Sequence, residues 1–171
     1  MVVEPSLAAD ARLAAAWAVL DTVLDPEVPA LSLTDLGLVR ELRATGTGIE
    51  VVLTPTYSGC PATEVIEQSV IDALTAADLG PVRVTLQRAP AWTTDWMSDA
   101  GRRKLSAYGI APPGRVELAQ GALLRFRPRS LACPRCGSAQ TEQLSAFGAT
   151  ACKSLWRCLA CREPFEHFKA I

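Results

Sequence analysis

The chain has 171 residues, of which 49% are hydrophobic and 20% charged, and its formal net charge is −1. This length accommodates one ordinary domain and a small module, and the composition is typical of a globular protein with its own core. No apolar run reaches the roughly twenty residues of a membrane span, and the N-terminus lacks the basic region of a signal peptide, so we expect a cytoplasmic protein.

The elements of the first module follow from hydrophobic periodicity and from its prolines and glycines. The predicted elements are a helix at about 7–23, strands at 37–44 and 49–54, a helix from Pro61 to about Asp78, a strand at 82–86 and a helix at 99–108. Together they predict a two-layer α/β domain with a small mixed sheet over residues 1–110. The fold class of the whole chain is therefore expected to be α+β.

Cys60 lies between the second strand and the following helix, in the segment TPTYSGCPAT at 54–63. Because proline favours the first position of a helix, Pro61 places Cys60 at the predicted N-cap. The free N–H groups of a helix start lower the pKa of a thiol and make it a better nucleophile or metal ligand. Two interpretations stay open: a functional thiol, and a small buried residue that happens to precede a proline.

Several catalytic sites that are built on a cysteine need partner residues at fixed positions, and this sequence does not have them there. A thioredoxin-like site needs a cysteine at position 63 and a C-x5-R phosphatase loop needs an arginine at position 66, and neither is present. A cysteine–histidine pair would have to use His167, the single histidine, which belongs to the other module. We therefore expect an accessory protein rather than a self-sufficient enzyme.

The second module contains two C-x2-C pairs, formed by Cys133, Cys136, Cys158 and Cys161. Four thiolates spaced in this way can occupy the corners of a tetrahedron, as structural zinc requires. A module of about forty residues buries too little surface to fold alone, so a metal is physically expected. We predict a four-cysteine zinc ribbon over 131–171, preceded by a linker and connecting strand over 111–130. Iron stays open as an alternative, because the knuckle CPRCG at 133–137 resembles that of rubredoxin.

Two further side chains of the ribbon are candidate ligands. Cys152 lies between the two pairs, and because four ligands complete a structural site we predict that it is a spare thiol. His167 would have to displace one of the four cysteines. We therefore predict that His167 occupies a strand or surface position.

Motifs in the first module resemble those of the small α/β family tied to iron–sulfur cluster assembly, which includes the eukaryotic cytosolic assembly factor and the bacterial SufT-like proteins. The motifs are DPEVP at 25–29, LTDLGLV at 33–39 and the threonine, cysteine and proline of 56–61, and the resemblance covers about residues 12–90. It implies that Cys60 is the motif thiol and that Asp25, Glu27 and Asp35 are the motif acids. It also implies that an iron ion or iron–sulfur cluster is bound transiently at Cys60.

Further segments resemble the D subunits of bacterial phenylacetyl-CoA epoxidase complexes along nearly the whole chain. These segments are PAWTTDWM at 90–97, YGIAPP at 108–113 and FGATACK at 147–153. The resemblance implies an accessory subunit that assists maturation or metal and cluster assembly of the oxygenase in aerobic phenylacetate degradation. Its implied partners are the oxygenase and reductase subunits, and a homo-oligomer stays open.

Two other functions stay open beside maturation. In one, the chain is a non-catalytic structural subunit that docks oxygenase components through the ribbon, and Cys60 is a packing residue. In the other, the basic run RFRPR at 125–129 binds nucleic acid. An aromatic content of 6% and a net charge of −9 over residues 1–100, with 14 acidic and 5 basic side chains, argue against the second. We expect neither a nucleic-acid nor a membrane partner.

Overall fold

The computed structural model describes residues 7–57, 61–114 and 131–171, with helix side chains from residue 11 onwards. The elements in chain order are α1 (Leu7–Leu20), β1 (Val39–Thr45), β2 (Gly48–Leu53), α2 (Thr63–Ala76), β3 (Val82–Leu86), a 3-10 turn (Thr94–Trp96), α3 (Asp99–Tyr108), β4 (Ile110–Ala111), β5 (Thr141–Ser145), β6 (Lys153–Cys158) and β7 (Pro164–Phe168). None of the helices in these described ranges is long and apolar enough to cross a membrane.

The first unit is built on a three-stranded mixed sheet in the order β1-β2-β3. A tight turn joins β1 to antiparallel β2, and α2 makes the crossover from β2 to parallel β3. The central strand β2 is buried at nearly every position. α2 covers the sheet with Ile66, Val70 and Leu74, one face of the helix. The predicted α+β class with a small mixed sheet is confirmed.

Three polar side chains, one on each strand, contact one another across the sheet. Thr85 Oγ1 on β3 donates a hydrogen bond of 2.7 Å to Glu50 Oε1, and Arg43 Nη1 on β1 lies 3.3 Å from Glu50 Oε2. The Thr85 hydroxyl holds the pKa of Glu50 below its ordinary value, and the Arg43 guanidinium adds to this effect against burial, which raises it. The ionised form of Glu50 therefore links all three strands.

The second unit contains a four-stranded sheet in the order β4-β7-β6-β5, in which β4 is parallel to β7 and the other pairs are antiparallel. The units comprise Met1–Trp92 with Trp96–Ser98, and Thr93–Asp95 with Asp99–Ile171. α3 thus lies in the second unit, although the sequence led us to expect it in a first domain that ended at 110. The reason is that β4, directly after α3, pairs with β7 of the ribbon. The segment 115–130 of the predicted linker lies outside the described residues.

The helix after β2 begins two residues later than the sequence predicted. Ala62 is the N-cap of α2, and the first intrahelical bond runs from the Ile66 N–H to the Ala62 carbonyl over 2.9 Å. Pro61 and Ala62 form a turn ahead of the helix. The prediction that Cys60 is the N-cap is therefore wrong, because Ala62 occupies that position. Cys60 itself lies outside the described residues.

A four-cysteine cluster and the acidic motif loop

Two tight turns bring the paired cysteines of the ribbon together. Cys133 and Cys136 precede β5, and Cys158 and Cys161 flank the turn from β6 to β7. In the first turn the Gly137 N–H donates to the Cys133 carbonyl over 2.9 Å, with Gly137 at a φ of +74° that favours glycine. In the second turn the Cys158 N–H donates to the Glu163 carbonyl over 3.0 Å, so a backbone hydrogen bond closes each turn.

The four sulfur atoms fit a tetrahedral metal site. All four lie within 4.8 Å of one another, with Cys133 Sγ 3.8 Å from Cys161 Sγ and Cys136 Sγ 3.5 Å from Cys158 Sγ. Zinc–sulfur bonds of about 2.3 Å arranged as a tetrahedron require sulfur atoms about 3.8 Å apart. The predicted ligand set is therefore brought together, with distances that suit a metal ion bound by four thiolates.

Each pair contributes one buried and one exposed cysteine. Cys133 and Cys158 are buried, whereas Cys136 and Cys161 are exposed. The two buried cysteines belong to a small apolar core whose other members are Ala111, Trp156 and Phe165. One side of the cluster is therefore packed into the ribbon and the other faces solvent.

The protein environment splits the acidities of the second pair. The Cys161 N–H, 3.5 Å from Cys158 Sγ, lowers the pKa of Cys158, and with the Ala160 N–H and the nearby thiols it outweighs burial and brings this pKa to about 6. A hydrogen bond from the Glu163 backbone lowers the pKa of Cys161, but partial loss of hydration and the three neighbouring thiols raise it to about 12. Cys158 is thus ready to bind a cation as a thiolate near neutral pH.

The two other candidate ligands of the ribbon are not part of the cluster. Cys152 is buried, with its Sγ 3.0 Å from Thr150 Oγ1, and is absent from the metal-binding group found among the described residues. His167 is buried on β7, where its Nδ1 lies 3.3 Å from Ser154 Oγ, which also accepts from Trp156 Nε1 over 3.0 Å. Both residues contribute to the packing of the ribbon sheet.

The motif acids Asp25 and Glu27 lie in the loop between α1 and β1. Asp25 is 8% exposed, and its Oδ1 accepts hydrogen bonds from the N–H groups of Glu27 and Val28 over 2.9 and 2.8 Å. This is the local turn that aspartate side chains form with the backbone two and three residues on. Asp25 therefore shapes the loop, and Glu27 donates its backbone N–H to the Asp25 carboxylate.

The third motif acid, Asp35, ties the same loop to a later segment of the first unit. It is 5% exposed; its Oδ2 accepts from the Ser32 N–H over 3.2 Å and its Oδ1 from Ser98 Oγ over 2.9 Å. The Ser98 N–H also donates to the Asp35 carbonyl over 2.9 Å. Side chain and backbone of Asp35 thus hold residues 32 and 98 in place.

Tryptophans of the segment at 90–97 reinforce this contact. Trp92 Nε1 donates to the Leu36 carbonyl over 2.9 Å. The guanidinium carbon of Arg40 lies over the Trp96 ring, 3.6 Å from the centroid of that ring. A side chain at Gly37 would place its Cβ 2.5 Å from the Trp96 carbonyl oxygen, so the LTDLGLV motif needs glycine there. We call residues 25–38 the motif loop, and this loop is braced by Trp92, Trp96 and Ser98 of the same unit.

Thr54 is a candidate functional residue that the sequence pattern indicated only as the end of a strand. Its side chain is 1% exposed, and its Oγ1 has no hydrogen-bond partner within the described part of the chain. Leaving a buried hydroxyl unpaired costs about 1–3 kcal/mol, so such a position requires an explanation. Thr54 directly follows β2 and its N–H donates to the Leu38 carbonyl, over 2.9 Å, at the end of the motif loop. A polar residue directly after a buried apolar strand was the signal that could have identified it.

Two family models match separate parts of the chain. Residues 13–86 match the family model described as iron–sulfur cluster assembly protein, and residues 120–169 match the PaaD zinc beta ribbon domain. The chain is similar to an Escherichia coli (strain K12) protein that is named "Putative 1,2-phenylacetyl-CoA epoxidase" and specified as its D subunit, with 48% identity over 91% of each chain.

Two solved structures are similar to part of the chain. A crystal structure of a domain of unknown function, DUF59, from Bacillus anthracis matches with a TM-score of 0.53 and 27% identity, covering 56% of this chain and 92% of that one. A solution structure of a Mycobacterium tuberculosis protein associated with Fe–S complex assembly and repair is 31% identical over 63% of this chain and 94% of its own, with a TM-score of 0.34.

Proposed function

The chain belongs to the family of 1,2-phenylacetyl-CoA epoxidase D subunits, and on that premise we propose that it serves such an epoxidase as a non-catalytic accessory subunit that assists assembly of the oxygenase's metal centre. One observation carries this proposal. A domain that matches iron–sulfur cluster assembly proteins is joined, in one chain, to a four-cysteine ribbon, and the whole resembles a relative named as an epoxidase subunit over 91% of its length.

In this proposal Cys60 is the thiol that holds iron or an iron–sulfur cluster in transit. The cargo is bound by a thiolate, the form in which cysteine ligates metals. Cys60 follows β2 in the sequence, and Thr54 at the end of that strand has a buried hydroxyl that finds no partner among the described residues and is able to donate a hydrogen bond to a ligand. Asp25 and Asp35 contribute by shaping the motif loop, since their oxygens accept hydrogen bonds from the protein's own backbone and Ser98.

The ribbon cysteines Cys133, Cys136, Cys158 and Cys161 are proposed to hold one structural zinc ion. Bound zinc cross-links the two knuckles and contributes folding free energy, with apparent values of about 10–16 kcal/mol in zinc-finger peptides. Cys158 enters as a thiolate, while the turn amides around it neutralise part of its charge. Iron in place of zinc would make the protein coloured and redox-active.

Docking of the epoxidase components through the ribbon is a second proposed role, favoured by the exposed aromatic ring of Phe147 on the β5–β6 connection. The two roles differ in their dependence on Cys60. A docking subunit works without that thiol, whereas a maturation factor requires it.

The experiment that tests the proposed function is production of the remaining epoxidase subunits with and without this chain. If the chain assists assembly, oxygenase made without it should contain less iron and be less active, although its polypeptides are present in equal amounts. Adding the purified chain with ferrous iron should restore both. Full iron content and full activity in its absence would refute the maturation role.

A further inference from the structure

Hydrogen bonds of the ribbon sheet hold its two cysteine knuckles next to each other. We call residues 133–137 the first knuckle and residues 158–161 the second knuckle. The last residue of β6, which begins the second knuckle, pairs with the first residue of β5, which follows the first knuckle. The Leu159 N–H also donates to the Gln140 carbonyl over 2.8 Å. The backbone therefore keeps the knuckles together through contacts that do not depend on a metal.

The sulfur atoms of the two knuckles contact one another in cross pairs. Cys136 Sγ lies 3.5 Å from Cys158 Sγ, and Cys133 Sγ lies 3.8 Å from Cys161 Sγ. Cys136 and Cys161 are exposed, whereas Cys133 and Cys158 are 2% and 0% exposed. Each cross pair therefore joins one thiol that a small solute can reach to one that the apolar core shields.

We propose that the four-cysteine cluster is also an oxidation site, at which a peroxide exchanges the zinc ion for disulfides that connect the two knuckles, the bond between Cys136 and Cys158 forming first. This inference rests on the zinc ion of the proposed function. The susceptibility of a cysteine to peroxide follows its thiolate character and its exposure to solvent. Cys136 is the exposed member of the shorter cross pair, so oxidation begins there with a second sulfur already in contact.

Two steps form the first disulfide and balance its atoms and electrons. The Cys136 thiolate attacks one oxygen of hydrogen peroxide, so that an S–O bond forms, the O–O bond breaks and hydroxide leaves. The Cys158 thiolate then attacks the resulting sulfenic acid, so that the S–S bond forms, the S–O bond breaks and a second hydroxide leaves. The two thiolates have lost two electrons and the peroxide has gained them. A second peroxide oxidises Cys161 and Cys133 in the same way, which leaves the ribbon without a thiolate ligand for zinc.

A disulfide between the knuckles takes over the structural task of the metal. Bound zinc connects the two knuckles, and a bond between Cys136 and Cys158 does so as well, because it closes the chain around residues 137–157. A disulfide within one knuckle would leave the two turns unconnected. The oxidised ribbon should therefore keep its sheet and bind zinc again after reduction, which makes the change reversible.

The test exposes the purified full chain, loaded with zinc, to hydrogen peroxide and follows zinc release with a chromogenic chelator. Zinc release should rise in step with the formation of disulfides. Trypsin cuts after Arg135, between the two cysteines of the first knuckle. Mass spectrometry should therefore find the peptide of Cys136 joined to that of the second knuckle, and tandem fragmentation should identify Cys158 as the partner.

Amide hydrogen exchange in β6 and β7 reports whether the disulfides replace the metal. These amides should exchange at least about tenfold more slowly in the oxidised chain than in reduced chain from which a chelator has removed the zinc. Dithiothreitol with added zinc should restore the original zinc content. Cys152→Ser is the matched control, because Cys152 is buried and lies outside the cluster. This variant should release zinc at the same peroxide concentration and form the same disulfides.

The outcomes separate this inference from the zinc assignment on which it rests. Zinc release with a bond between Cys136 and Cys158, and with slow exchange in the oxidised sheet, supports it. Zinc that stays bound in excess peroxide overturns it and leaves the structural zinc site intact. Disulfides confined to single knuckles or joined to Cys152, or exchange as fast as in the zinc-free reduced chain, also overturn it. A purified chain that contains no zinc overturns the zinc assignment and this inference together.

Discussion

Replacing Lys153 with methionine tests whether its ion pair with Glu166 stabilises the ribbon. Methionine keeps most of the volume and removes the charge, which leaves Glu166 with the Ala149 N–H as a donor and with a side chain that is 24% exposed. Breaking a buried ion pair costs about 3–5 kcal/mol. Because Glu166 retains contact with water, we expect a loss of about 2–3 kcal/mol in the free energy of unfolding of the ribbon.

Release of zinc into a chromogenic chelator during a urea titration reports unfolding of the ribbon separately from the first unit. Arg157→Met is the matched control, because Arg157 pairs with Glu142 on the same sheet with both side chains more than 40% exposed. Exposed pairs contribute about 0–1 kcal/mol, so this control should release zinc near the wild-type urea concentration. A Lys153→Met midpoint equal to that of Arg157→Met would refute the stabilising role of the buried pair.

Three further predictions concern the metal site and the first unit. Cys158→Ser should lose zinc and unfold the ribbon, whereas Cys152→Ser should keep about one zinc per chain, as measured by elemental analysis. Ser98→Ala should cost the first unit about 1 kcal/mol in a denaturant titration, because Asp35 loses a hydrogen bond; an unchanged midpoint would contradict the brace on the motif loop. The pKa of Glu50 is lower in the folded state than its ordinary 4.5, so its contribution to stability is present above that pH and lost as pH falls through the folded value. Glu50→Gln should therefore reduce the acid-induced fall in the melting temperature of the first unit between about pH 6 and pH 3, and an unchanged fall would contradict this.

Those parts of the fold that depend on short-range patterns were predictable. The alternation of residues 49–54 predicted β2, and the apolar spacing at 66, 70 and 74 predicted the buried face of α2. The two C-x2-C pairs predicted a cluster of four thiols, because knuckle spacing constrains where each sulfur can lie. In each case neighbours along the chain determine the geometry.

The remaining features depend on contacts between residues distant in sequence. α3 lies with the ribbon because β4 pairs with β7, a partner more than fifty residues away. The role of Asp35 depends on Ser98, and no periodicity relates the two. The start of α2 was misplaced because proline is compatible both with the first helical position and with a preceding turn, and here Pro61 lies in the turn.

The iron content of the oxygenase produced together with a Cys60→Ser variant of this chain tests the central claim most directly. Serine keeps the size of the side chain and removes the thiolate, and Cys152→Ser serves as the control for loss of a cysteine that the proposal assigns no metal. We predict that oxygenase made with Cys60→Ser contains as little iron as oxygenase made without the chain, while the Cys152→Ser sample matches wild type. Full iron content with Cys60→Ser would contradict the claim and leave the chain a docking subunit.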